Sequence, residues 1–186
     1  MNTSNTTPTT GVKKRFPVIF AAIAGVILIG LIILFALQMK NTRQDTLAIG
    51  TDIPDFTVTT FSGETFQKSQ LQGKIILLNF WSSWCASCDE EGAALEEVWQ
   101  QVKDGGDVIF IGVNYVDTEK DSLAFLERYG ITFPNGPDMG SRISGMFKVE
   151  AVPETYIIGR DGRLVAIKIG PFLTTEEILA ALAMAE

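Results

Sequence analysis

The chain of 186 residues has no histidine and only two cysteines, Cys85 and Cys88. A structural zinc site needs about four protein ligands, so this pair of thiols does not make one. The missing histidine also counts against a copper-binding protein, for which imidazole is a common ligand. A purely structural disulfide between residues so close in sequence would remove little chain entropy. The two cysteines are therefore expected to carry out redox chemistry.

Acidic residues are absent before Asp45, and charge of either sign is absent from residue 16 to residue 37. This stretch of 22 residues is rich in Ile, Leu, Val and Ala. As a helix it would reach roughly 33 Å, enough for a hydrocarbon core of about 30 Å. Residues 16–39 are therefore predicted to form a transmembrane signal anchor. Residues 1–15, mostly Thr, Asn and Ser before three basic residues, are predicted to be a disordered cytoplasmic tail.

Two other interpretations of the apolar stretch are weaker. A buried core helix usually keeps a polar face, which this stretch lacks. A cleaved signal peptide has an apolar core of about 7–15 residues and a small-x-small cleavage site. This stretch is longer and ends in Leu37-Gln38-Met39-Lys40. Three basic residues precede it and two follow, which favours a cytoplasmic N-terminus. The chain is thus expected to cross the cell membrane once, with an extracytoplasmic redox domain where a disulfide can persist.

The remaining chain is acidic, because all 22 acidic residues but only 10 of the 15 basic residues lie at or after Asp45. Its charge of about −12 argues against nucleic-acid binding, which requires a basic surface. Residues 40–52 are predicted to be a linker, and residues 53–186 are predicted to form one domain.

The two cysteines lie where a buried strand is predicted to turn into a helix. The continuous apolar run Ile75–Trp81 precedes them, and an amphipathic helical pattern follows them. Cys85 would then lie at the helix N-terminus, where unpaired N–H groups and the helix dipole favour a thiolate. Because both sulfurs can share one turn, the pair suits dithiol–disulfide exchange.

The other segments predict an α/β fold. A second apolar strand, Val108–Val116, should pair in parallel with Ile75–Trp81, because a helix connects the two. A small β-hairpin is predicted for residues 55–66, where apolar and polar residues alternate weakly. Asp117 or Thr118 is expected to cap a helix. After a looser segment come a short helix, an antiparallel hairpin and a final helix: residues 142–147, 152–169 and 176–185. Together, these strands and helices predict a mixed sheet with helices on both faces.

Several motifs carry a resemblance to a known family. The order of elements and the Trp-Cys-x-x-Cys motif are similar to thioredoxin. Three further motifs, Leu78–Trp81, Gly112–Tyr115 and Ala151–Thr155, resemble the membrane-anchored thioredoxin-like proteins of cytochrome c maturation, the TlpA, ResA and CcmG group, also called DsbE. The resemblance covers about residues 50–185, together with the anchor. It implies a thioredoxin-like fold with an extra N-terminal hairpin and an insertion between the βαβ part and the ββα part.

The resemblance also implies an activity. Members of this group are thiol-disulfide oxidoreductases that reduce disulfides outside the cytoplasm, notably in the Cys-x-x-Cys-His sites of apocytochrome c. Their electrons come from a membrane thiol transporter, and no cofactor or metal is implied. A general extracytoplasmic disulfide oxidoreductase is the first alternative. A peroxiredoxin-like peroxidase usually has Thr three residues before its cysteine, where this chain has Ser82. A copper-binding assembly protein usually spaces its cysteines by three and adds a histidine.

The resemblance assigns roles to individual residues. Cys85 would attack the target disulfide, and Cys88 would resolve the mixed disulfide. Thioredoxin has a buried aspartate where this chain has Asn79, and in the maturation group a glutamate three residues after the second cysteine is thought to replace it. That residue is Glu91. The alternative is that Glu91 and the two preceding acids only favour the first turns of the helix.

The remaining candidate residues would contact the substrate. By the resemblance Pro153 follows a cis peptide bond and lies against the disulfide. Val152 would offer its backbone to an extended peptide. Trp84 is a candidate for substrate binding or for the core, whereas Trp81 and Tyr156 are expected to be core aromatics.

Overall fold

The computed structural model describes residues 16–42 and 47–186. Contacts divide the chain into two units between Asp45 and Thr46. The described part of the first unit is the helix α1 (Phe16–Thr42), which continues three residues beyond the predicted anchor. The side chains of α1 are described only from residue 20 to residue 35, and no helix within the described residues is both long and apolar enough to cross a membrane. The predicted tail, residues 1–15, lies outside the described residues.

The second unit contains a five-stranded mixed sheet, a two-stranded hairpin and four α-helices. The hairpin consists of β1 and β2, and the sheet order is β5-β4-β3-β6-β7. The strands are β1 (Thr57–Thr59), β2 (Thr65–Gln67), β3 (Ile75–Trp81), β4 (Val108–Asn114), β5 (Asn135–Pro137), β6 (Glu154–Ile158) and β7 (Leu164–Ile169). The helices are α2 (Ala86–Val102), α3 (Glu119–Tyr129), α4 (Arg142–Phe147) and α5 (Thr175–Ala183).

The central strand β3 is buried along its whole length because both faces of the sheet are covered. It pairs in parallel with β4 and antiparallel with β6. On one face, Ile75 and Leu77 pack with residues of α2 and α5. On the other face, Ile76 and Leu78 pack with Val58 of the hairpin and with α4. The thioredoxin-like fold, the parallel pair and the N-terminal hairpin are thus confirmed.

The structure differs from the sequence-based expectations in two strands. The short strand β5 lies in the segment predicted to be loose, where it pairs with β4. Strand β4 ends at Asn114, earlier than predicted, because Val116 adopts a φ of 44°, which is outside the extended region of the backbone.

The folded unit also begins earlier than residue 53. The Gly50 N–H donates to the carbonyl oxygen of Leu164 at 2.7 Å, and the Leu164 N–H donates to Thr51 at 2.9 Å. Leu47 packs against the core on the hairpin side of the sheet. Residues 47–52 therefore belong to the domain, although the sequence placed them in a linker.

Candidate active site

The two cysteines lie at the junction of β3 and α2. Cys85 is the N-cap residue of α2, with an extended backbone, and its Sγ accepts the N–H of Cys88 at 3.2 Å. The sulfur thus takes the place of the oxygen that Ser or Asp offers at other helix starts. Cys85 and Cys88 form a disulfide, with their Cα atoms 5.3 Å apart. The predicted position of Cys85 at the helix N-terminus is confirmed.

The disulfide lies beside the segment that precedes β6. The Sγ of Cys85 lies 3.4 Å from the carbonyl oxygen of Val152, and the Val152–Pro153 peptide bond is cis, as the resemblance implied. Cys85 keeps 6% of its surface exposed and Cys88 only 1%. The geometry therefore leaves Cys85 as the more accessible sulfur, next to a backbone carbonyl that an incoming peptide could share.

Glu91 lies one turn into α2 and is 1% exposed. Its Oε1 accepts from Asn79 Nδ2 at 2.7 Å, and its Oε2 accepts the N–H of Phe172 at 3.2 Å. Burial raises the pKa of Glu91 from 4.5 to about 7, against the opposing effects of these two hydrogen bonds and of the Lys168 charge. The alternative of a solvated acid at the helix start is wrong for Glu91, although Asp89 and Glu90 do fit it, since both are exposed.

Asn79 connects Glu91 to the neighbouring strand β6 on the same face of the sheet. Its Nδ2 also donates to Thr155 Oγ1 at 2.9 Å, and Thr155 lies opposite Asn79 in the pairing of β3 with β6. All three side chains are buried. Three linked polar side chains are thus buried between α2 and the sheet, and the one titratable member is Glu91.

The three aromatic candidates separate into one exposed and two buried residues. Trp84 is 61% exposed, and its Nε1 donates to the carbonyl oxygen of Val116 at 2.9 Å, so it is not a core residue. Trp81 is buried and stacks on Phe125 with ring centroids 4.6 Å apart. Tyr156 is buried and donates its hydroxyl to the Phe147 carbonyl oxygen at 2.8 Å. Trp81 and Tyr156 are therefore core residues, as predicted.

The segment just before Cys85 makes contacts that the sequence did not predict. Ser83 bonds to the carboxylate of Asp117, which follows the neighbouring strand β4. Because β3 and β4 are parallel, the residues after them meet at one edge of the sheet, beside the disulfide. The signal was present, since polar residues directly follow both apolar strands. Of the two residues predicted to cap α3, Thr118 is the N-cap, and Asp117 bonds to Ser83.

The chemistry available here is that of the dithiol. Within residues 16–42 and 47–186 there is no group of three His, Cys, Asp or Glu side chains arranged to hold a metal ion. The site combines a disulfide at a helix N-terminus, a buried carboxyl and an exposed tryptophan. Such an arrangement suits thiolate attack on another disulfide.

Comparison with known proteins gives consistent matches. Residues 49–167 match the AhpC/TSA family. The thiol-disulfide oxidoreductase ResA of Bacillus anthracis is 31% identical over 157 residues, which are 84% of this chain and 90% of that protein. A secreted Mycobacterium tuberculosis disulfide oxidoreductase homologous to E. coli DsbE is 28% identical, with a TM-score of 0.61 over 69% of this chain and 94% of that one. StoA from Bacillus subtilis, at 23% identity, shares the fold with a TM-score of 0.61 over 72% of this chain and 97% of that one.

Proposed function

Because the chain belongs to the AhpC/TSA family and is a thioredoxin-like thiol-disulfide oxidoreductase, we propose that it reduces the disulfide of apocytochrome c during cytochrome c maturation. The observation that carries this proposal is the Cys85–Cys88 disulfide at the start of α2, beside Val152. The ResA relative and the secreted oxidoreductase homologous to DsbE support it.

The proposed reaction begins with the reduced enzyme. The Cys85 thiolate attacks one sulfur of the target disulfide, so that a Cys85–target bond forms and the other target sulfur leaves as a thiolate. Cys88 then loses its proton and attacks the Cys85 sulfur, which releases the second target thiol and restores the Cys85–Cys88 disulfide. Two electrons thus pass from the enzyme to the target. The N–H of Cys88 and the N-terminus of α2 stabilise the Cys85 thiolate.

Glu91 is proposed to accept the proton that Cys88 loses. It follows Cys88 by three residues on α2, so both side chains lie on one side of the helix. A carboxyl with a pKa of about 7 can take up or release a proton near neutral pH. Trp84, Val152 and Pro153 are proposed to contact the substrate, with the Val152 carbonyl accepting a backbone N–H of an extended peptide.

The proposal includes a location and an electron donor. Residues 16–39 would anchor the chain in the cell membrane, with the N-terminus in the cytoplasm and the redox domain outside. A membrane thiol transporter would then return the Cys85–Cys88 disulfide to the dithiol. The support is the uncharged 22-residue stretch, its flanking charges and the resemblance to anchored proteins.

The test uses the full-length chain in detergent with its two cysteines reduced. The substrates are two peptides, each closed by a disulfide. One carries Cys-x-x-Cys-His, and the other has Ala in place of His and is otherwise identical. We expect Cys88→Ser to trap a mixed disulfide with the first peptide and Cys85→Ser to trap none. The parent enzyme should reduce the first peptide at least about tenfold faster than the second. Its reduction potential should lie well below about −200 mV, as for cellular reductants.

Other outcomes would contradict the proposal in distinguishable ways. Equal rates for the two peptides would indicate a general disulfide reductant, and a potential near −120 mV would indicate an oxidant. Consumption of peroxide in preference to both peptides would indicate a peroxidase. Ser82 occupies the position of the peroxidase threonine. Its hydroxyl already donates to the carbonyl oxygen of Tyr115, which argues against a peroxidase. Stoichiometric copper binding without peptide reduction would indicate an assembly protein.

A further inference from the structure

The segment that leads into Cys85 is bonded to the loop after β4. We call residues 82–84 the leading segment and residues 115–118 the β4 loop. The Ser82 hydroxyl donates to the Tyr115 carbonyl oxygen, and the indole N–H of Trp84 donates to the Val116 carbonyl oxygen at 2.9 Å. All three residues of the leading segment thus have partners in the β4 loop, since Ser83 bonds to Asp117.

The Asp117 carboxylate is the centre of these contacts. It accepts the Ser83 N–H at 2.6 Å and the Ser83 hydroxyl at 2.9 Å. It also accepts Asn114 Nδ2 at 3.0 Å and the Thr118 N–H at 2.8 Å. Burial alone would raise the pKa of Asp117, but these four donors outweigh it and lower the pKa. An ionised carboxylate can accept four donors, whereas an asparagine side chain has a single acceptor oxygen.

These bonds constrain the residues on the N-terminal side of the reactive sulfur. On its other side, Cys85 begins α2 and lies 3.4 Å from the Val152 carbonyl oxygen. Trp84 keeps an exposed ring whose one polar atom is already bonded, so the ring offers a fixed apolar surface beside Cys85. The orientation of Cys85 towards a bound peptide therefore depends on contacts from two directions.

We propose that Asp117 is a positioning residue for disulfide exchange, which holds Ser83, and through it the leading segment, so that Cys85 meets a bound disulfide in line. Exchange requires the attacking, central and leaving sulfurs to align, and a displacement of about 1 Å can cost up to ~10²-fold in rate. Alkylation by a small free reagent does not depend on how a peptide is held. The proposal concerns the exchange activity and does not depend on cytochrome c as the target.

The test measures the attack of Cys85 in the Cys88→Ser background of the full-length chain. Each variant reacts with iodoacetamide and with a neutral peptide closed by one disulfide, over a pH range that extends above the Cys85 pKa. The plateau rate constants compare thiolates only. A change in the pKa of Cys85 alters thiolate nucleophilicity in both reactions, so the ratio of the two plateaus is compared. We expect Asp117→Asn to lower the peptide plateau about tenfold and the iodoacetamide plateau by less than about twofold. Ser83→Ala keeps the backbone N–H bond to Asp117. Its peptide plateau should therefore lie between those of the parent and Asp117→Asn.

The matched control is Asp121→Asn. Asp121 carries the same charge in the first turn of α3, but its carboxylate bonds to Thr118 and not to the leading segment. It should match the parent in both reactions. An equal loss in Asp121→Asn would show a charge effect, and an unchanged ratio of the two plateaus in Asp117→Asn would overturn the proposal. If Asp117→Asn does not fold, a folded Ser83→Ala with the parent's ratio overturns it as well.

Discussion

Glu91 shows how one buried side chain can make the stability of a fold depend on pH. Its carboxyl lies in the core between Asn79 and the backbone of Phe172, and Lys168 is the cation that acts on it. Because burial raises its pKa to about 7, the folded state holds a proton that the unfolded chain has lost above pH 4.5. The resulting stabilisation is complete below pH 4.5 and is lost as the pH rises through about 7.

Replacing Glu91 by Gln should remove this pH dependence. A difference of 2.5 pKa units corresponds to about 3 kcal/mol, so the parent should lose that much stability relative to Glu91→Gln between pH 4.5 and pH 8. Urea unfolding of both oxidised proteins at several pH values measures this. The disulfide is kept intact so that no thiol titrates.

Glu90→Gln serves as the control, because Glu90 is the adjacent acid on α2 but is exposed. Its free energy of unfolding should change with pH in the same way as that of the parent. If that of Glu91→Gln also changed in this way, the carboxyl would titrate alike in the folded and unfolded chains, and its proposed role in proton transfer would lose its basis.

At the scale of single residues, the sequence identified the reactive side chains better than it predicted their burial and their contacts. The resemblance nominates Glu91, as the glutamate three residues after the second cysteine, and helix spacing puts it on the same side of α2 as Cys88. Its burial was not predictable, since α5 and the loop before it cover Glu91 from the far end of the sequence. The contacts of Asp117 with Ser83 were missed for the same reason, as they span 34 residues.

At the scale of elements, the hairpin is fixed to the sheet by a close approach of two backbones. A Cβ atom on Gly136 of β5 would lie 2.3 Å from the carbonyl oxygen of Thr59 in β1. The neighbouring Phe61 N–H donates to the carbonyl oxygen of Asn135 at 2.9 Å. Only a residue without a side chain allows the hairpin to lie so near the edge strand.

Gly136→Ala should therefore destabilise the domain by about 1–3 kcal/mol, because a backbone oxygen cannot move away as a flexible side chain can. Gly145→Ala is the matched substitution. A Cβ on Gly145 has no atom within 4 Å, and its position within α4 favours alanine, so a gain of about 0.5–1 kcal/mol is expected. Urea midpoints of the two variants should move in opposite directions. A shift of the same sign in both would refute the close packing of β1 against β5.

The elements that the sequence predicted well are those with a continuous apolar run or a helical stripe. Strands β3 and β4 have such runs, and α2 has such a stripe. By contrast, β5 consists of Asn-Gly-Pro, three residues typical of turns. It is extended because β4 pairs with it on one side and the hairpin lies on the other, so tertiary contacts override local preference.

At the scale of the whole molecule, charge and hydropathy divide the chain into two parts. All five basic residues of the first 44 flank the apolar stretch, and every acidic residue lies beyond it. In the described part of α1 the large apolar residues lie on all sides of the helix. A helix that is apolar all round needs an apolar environment, and this is the physical reason for proposing a membrane anchor.

The anchor proposal predicts how the full-length chain will fractionate. It should remain in the membrane fraction after a carbonate wash, and protease added from the outer side should digest its C-terminal domain. The matched variant places two lysines in the helix centre, Leu28→Lys with Ile32→Lys. Each charge at the centre of a membrane helix costs about 2.5–3.5 kcal/mol in insertion, so this variant should appear in the wash.

A mature protein that begins near residue 40 would instead identify the stretch as a signal peptide, and loss of the unaltered chain to the wash would exclude an anchor. Protease protection from the outer side would reverse the predicted orientation, and the redox domain would then face the cytoplasm, where thiols are kept reduced.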